Sequence, residues 1–212
     1  MSWIHVDYNI EYWVEIPMES DWGETPWRSE KAWGRSAATA LREYRGLPDS
    51  KKEAKNLAKA LVAHRQALTE SNLAREYYLH FSDPEARPLP VHLWYGPADG
   101  PREDALRKHA RVESSDAMLP PQSVEFSNES FGRGLKTRTH VVLDDETVAM
   151  NLWYAFRNDE YGVDLIVSSS SGDIGRLADA EPRLDEFVQG IWILGDNVDL
   201  LAEAGEESPV SE

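Results

Sequence analysis

The chain has 212 residues, 41% of them apolar and 28% charged, with a formal net charge of −16 and no cysteine. That size and balance suit one globular domain with elaborations, and the missing cysteines exclude disulfides, thiolate chemistry and cysteine-based metal centres. No apolar stretch approaches the ~20 residues that a membrane-spanning helix needs, and no basic stripe is large enough for nucleic acid.

The opening residues, MSWIHVDYNIEYW, carry Asp7 and Glu11 and lack a basic segment followed by an apolar run, which reads against a secretory signal and for a cytoplasmic protein. Ile10, Tyr12, Val14 and Ile16 then share one parity, the signature of a strand with one buried face. In DWGETPWRSEKAWGRSAATALREYRG, Thr25 can cap a helix and Pro26 can take its first position. Trp33, Ala37, Ala40, Leu41 and Tyr44 recur at helical spacing before Gly46. A second helix follows GLPD, with Ser50 and Glu53 as a capping box. Ala54, Leu57, Ala58, Leu61 and Leu68 fall on its apolar stripe, and Lys51, Lys52, Lys55 and Lys59 lie exposed nearby. Residues 26–70 are thus expected to form a helical hairpin inserted in one domain spanning 1–195.

AREYYLHF and PVHLWYG read as strands around a proline-rich loop. Parity places His80 and His92 on one face with Tyr78 and Trp94, but no third ligand accompanies them, so no metal site and no cofactor is expected. DGPREDALRKHARV has acidic residues in its first turn and basic ones in its last, as the helix dipole favours. SVEFSN is a short strand. GRGLKT lacks the spacing of a phosphate loop and leads into a strand; SSSSG lacks the nucleophile-elbow pattern.

GLKTRTHVVLDDETVAMNLWYAFR, residues 134–157, is a hairpin. A turn at Asp144–Thr147 would oppose Leu143 to Val148, Val141 to Met150, Thr139 to Leu152, Thr137 to Tyr154 and Leu135 to Phe156, all on one mainly apolar face. Val163, Leu165 and Val167 of the next strand would join it. The expected core face is therefore Leu135, Val141, Met150, Leu152, Tyr154, Phe156, Leu165 and Val167. The opposite face would carry Lys136, Arg138, His140, Asn151 and Trp153, with Arg138 beside Trp153 for a cation–π contact of ~0.5–2 kcal/mol. That face is either solvated, or covered by the N-terminal helices, or a partner-binding surface anchored on Trp153. Trp22 and Trp27, in a polar loop, are a second candidate contact site.

In DAEPRLDEFVQGIWIL, Leu184, Phe187, Val188, Ile191 and Trp192 face one way, as on a closing helix. Residues 196–212 read as an acidic, mobile tail. Charge is uneven: residues 151–212 hold 14 acidic and 3 basic side chains, against 24 and 19 in residues 1–150. This suits solubility or a partner with a basic surface.

The order YYLHF, VHLWYG, PREDALRKHA, SVEFSN, GLKTRTHVVL, TVAMNLWYAFR, VDLIVSSSS and PRLDEFVQGIWI, across residues 74–194, resembles the PsbP-like α/β/α sandwich family. The resemblance implies binding of other proteins, since that family includes photosystem accessory proteins, a small-GTPase regulator and chaperones of secreted effectors. It transfers no site residue. The expectation is an α+β fold, with a central, mostly antiparallel sheet, an N-terminal α-hairpin and a C-terminal helix packed on it. The expected role is a non-catalytic protein-binding module: an adaptor, a secretion-type chaperone or an inhibitor. Two other readings are a ligand-binding protein or enzyme with a cleft between hairpin and sheet, and an acidic mimic that blocks a nucleic-acid-binding protein.

Overall fold

The structure, a computed structural model, describes residues 4–18, 22, 25–71, 75–83 and 86–194. The acidic tail expected at 196–212 lies outside them. The elements in chain order are β1 (Ile4–Val6), β2 (Trp13–Ile16), α1 (Glu30–Tyr44), α2 (Lys51–Ser71), β3 (Glu76–His80), β4 (Leu89–Pro97) and α3 (Arg102–His109). They continue with β5 (Gln122–Asn128), β6 (Gly132–Val142), β7 (Val148–Asn158), β8 (Val163–Ser171), α4 (Ile174–Gln189) and β9 (Ile191–Ile193). The fold is α+β, with four helices among the described residues and a mostly antiparallel sheet of strand order β2-β3-β4-β8-β7-β6-β5. The chain divides into two compact units, Asn9–Leu93 and the remainder, with one boundary after Tyr8 and the other inside β4, after Leu93.

In the Asn9–Leu93 unit, β2 pairs with β3 and β3 with β4, both antiparallel. Val14, Ile16, Tyr77, Leu79 and Phe81 form the core with Trp33, Ala38 and Leu41 of α1 and Ala58 and Leu61 of α2. The α1 cap is Ser29, whose Oγ accepts from the Ala32 N–H at 3.2 Å, not Thr25. Thr25 closes the preceding turn instead, donating to the Trp27 carbonyl at 2.6 Å. The apolar residues that α1 buries are Trp33, Ala38 and Leu41, while Tyr44 stays exposed. At the other end Gly46, at φ +60, allows the Leu47 N–H to return to the Arg42 carbonyl at 3.0 Å, a Schellman close. Arg42 is buried and ties the turn down through Glu53 (2.6 Å) and the Pro48 carbonyl (2.7 Å). At Gly34 a Cβ would meet Val62 Cγ2 at 2.8 Å and the Ala58 carbonyl oxygen at 2.9 Å, so glycine is what lets α1 and α2 approach closely there.

In the other unit, β5 to β8 form a meander with α3 on one face and α4 on the other. The register differs by one residue from expectation: Val142 faces Val148, His140 faces Met150, Arg138 faces Leu152 and Lys136 faces Tyr154. The cause is the turn. Leu143 N–H bonds to the Thr147 carbonyl at 2.8 Å, and Glu146 sits at φ 63, so the loop holds three residues ending in the left-handed region. An odd loop in place of an even one moves one strand's side chains to the opposite face.

Met150, Leu152, Tyr154, Phe156, Leu165 and Val167 are buried and share the α4 face with Lys136, Arg138 and His140. Leu135 and Val141 belong to the α3 face, where Leu135 packs beside Leu106, Ala110 and Ala155. α4 is capped by Asp173 and ends at Gly190. Ile191 and Trp192 therefore do not extend that helix. They form β9, which pairs with β1, and Trp192 is exposed.

Candidate functional site

The candidate binding residues of β6 and β7 are divided between two faces. Lys136 Nζ reaches Asp185 Oδ1 at 2.7 Å and Glu181 Oε1 at 2.7 Å, and Arg138 pairs with Glu181 as well. The alternate cations thus meet an acidic row at i and i+4 on α4. Burial would raise the Glu181 carboxyl, but the Lys136 and Arg138 hydrogen bonds outweigh it and hold it below its usual range. Tyr154 donates to Asp185 Oδ1 at 2.7 Å, and burial with that carboxylate pushes its phenol well above the usual value. Lys136 and Arg138 are therefore engaged in holding α4, with His140 beside them on the same face.

Trp153 and Asn151 point to the α3 side. Trp153 is half-buried and stacks under Arg111, 5.4 Å from its ring, instead of Arg138. Asn151 Nδ2 donates to Thr139 Oγ1 at 3.3 Å. Close by, Arg157 forms a bidentate pair with Asp164 (2.6 and 2.7 Å), and His109 Nε2 lies 3.4 Å from the same carboxylate. Trp22 and Trp27 are partly buried against the core of their unit, with Arg65 4.8 Å above the Trp22 ring. His80 and His92 lie on opposite faces: His80 opposes Leu89, and His92 opposes Tyr77.

A different surface gathers cations without ion-pair partners. Between α1 and α2 runs a groove of about 690 Å³ lined by Lys31, Arg35 and Thr39 from α1 and by Lys51, Ala54, Lys55, Ala58, Lys59 and Val62 from α2. All three rows follow the i, i+4, i+8 spacing that puts residues on one helical stripe. The two walls are cationic, and the floor of Ala54, Ala58 and Val62 is apolar. Among the described residues no carboxylate lines it, and none of the five cations has an ion-pair partner. Of the neighbouring acids, Glu30 pairs with Arg65 (3.0 Å) and Glu53 with Arg42.

This arrangement works against stability. Lys31–Arg35, Lys51–Lys55 and Lys55–Lys59 are like-charge neighbours one turn apart, each costing about 0.2–0.5 kcal/mol. Residues 30–71 hold nine basic and five acidic side chains, a local excess of +4 in a chain of −16. The lysine spacing on α2 was readable in sequence, but the packing that sets Lys31 and Arg35 across from it was not. No helix among the described residues is long and apolar enough to cross a membrane. Neither a protein-family model nor a curated protein sequence matches this chain.

Proposed function

We propose that this chain is a non-catalytic protein-binding module and that the α1–α2 groove receives an acidic segment of its partner. The observation that supports the reading is the set of five exposed cations on two walls, with no carboxylate among the described lining residues. A bound anionic segment would relieve the like-charge repulsion within the walls, and the apolar floor offers contact area that a solvated lysine face lacks. The net charge of −16 would repel a long polyanion approaching from any other side, which favours a short acidic protein segment over nucleic acid.

The test is a titration with a labelled oligoglutamate peptide of about 12 residues, followed by fluorescence anisotropy. Binding should weaken with added salt as exposed charges are screened over ~10 Å at 0.1 M. Lys55→Glu with Lys59→Glu should lower affinity by about 10- to 100-fold, since each pair contributes ~0.2–1 kcal/mol and each reversal adds a repulsion. If the peptide does not bind at low salt, or if the reversal leaves binding unchanged, the groove is not the docking surface.

A further inference from the structure

We infer that the partner element seated in the α1–α2 groove is a short amphipathic α-helix with acidic residues on both flanks of a small-residue stripe. The inference rests on the protein-binding reading above and specifies the form of what is bound.

Three features of the groove carry it. First, it presents two cationic rows, Lys31 and Arg35 on one wall and Lys51, Lys55 and Lys59 on the other, with an apolar row between them. A complementary ligand must show acid, apolar and acid again across a single face. A helix does this, because its i, i+4, i+8 stripe is flanked on both sides by further stripes. An extended strand sends alternate side chains to opposite faces and shows one row per face. A nucleic acid strand supplies the charge but no apolar stripe.

Second, the spacing fits. Successive groove residues are four apart, about 6 Å along the helix axis, so a helix laid along α1 and α2 repeats in step with them. From Lys51 to Val62 the α2 wall and floor span roughly 17 Å, which is about three turns of a docked helix.

Third, the floor favours small residues. Ala54 and Ala58 carry only a methyl group each beside Val62. Alanine, glycine or serine in the central stripe of a docked helix lets its backbone come close to that floor, which brings the flanking acids nearest to the lysines.

The experiment compares three probes on the full chain. One is a peptide of about 16 residues with alanine at every fourth position and glutamate on both sides of that stripe; the second is its composition-matched scramble; the third is the oligoglutamate peptide used above. The patterned peptide should bind at least about tenfold tighter than the scramble and gain helical circular dichroism on binding. Ala54→Leu should weaken the patterned peptide while leaving oligoglutamate nearly unchanged. Thr39→Glu, at an exposed position, should weaken both, and it provides a second variant if Ala54→Leu fails to fold. Equal affinity for patterned and scrambled peptides, or tight binding without helix formation, would overturn the helical form while leaving the acidic-segment reading in place. Failure of all three probes to bind would overturn both.

Discussion

Replacing Asp164 with Asn tests the energetics of the α3 face. Asp164 and Arg157 oppose one another across β7 and β8, and their side chains are 2% and 6% exposed. Arg157 also donates to the carbonyls of Gly100 (2.6 Å) and Asp99 (2.8 Å), so the guanidinium cannot swing out to water without releasing the turn before α3. Asp164→Asn keeps the shape but leaves the cation buried and uncompensated, a loss of about 3–5 kcal/mol. In a chain of this length each kcal/mol corresponds to roughly 2–4 °C, so the melting temperature should fall by about 6–20 °C. Thermal denaturation followed by far-ultraviolet circular dichroism reads this directly. The double replacement Arg157→Met with Asp164→Leu should lose much less, because the desolvation cost goes with the charges. A single-variant loss under about 1 kcal/mol, or a double variant as unstable as the single, would refute this account of the pair.

Acid should act through Asp164 and Glu181. Burial alone would raise Asp164, but Arg157 and His109 hold it below its usual value, and Glu181 is likewise held down. The folded carboxyls thus titrate below the unfolded ones. Their contribution is complete above the unfolded values of about 3.9–4.3 and is lost as pH falls below them. Urea denaturation between about pH 5 and pH 3 should show a shallower decline for Glu181→Gln than for the native chain. Gly34→Ala should destabilise by about 1–3 kcal/mol, since its Cβ would press on Val62 and the Ala58 carbonyl; chemical denaturation measures it. Glu146→Val, at φ 63, should destabilise in the same assay, because a β-branched side chain tolerates the left-handed region worse than glutamate does, whereas Glu146→Gly should be neutral to stabilising.

The fold class was legible because strand alternation and helix spacing are strong over long segments such as 51–71 and 148–158. Faces were harder. Between β6 and β7 the sequence DDET fits a turn of three or four residues, and that single residue decides whether Lys136 shares a face with Tyr154 or with Trp153. The same ambiguity misplaced His80 relative to His92. The α1 start was misread because Thr25 and Ser29 are equally good caps in isolation. Ile4–Val6 and Ile191–Ile193 are too short to signal a strand by alternation, and they pair across almost the whole chain length. The groove combines rows from two helices, so only the α2 half was visible, as an exposed lysine face.

The claim that the α1–α2 groove recognises charge on a docked helix is tested most directly by a charge swap. The chain carrying Lys55→Glu and Lys59→Glu would be titrated with the patterned acidic peptide and with a version whose glutamates along one flank are lysines. The account predicts that the reversed chain loses the acidic peptide and recovers affinity for the swapped one to within about tenfold of the native pairing. Loss of both peptides by a chain that still folds, or indifference to either reversal, would contradict it.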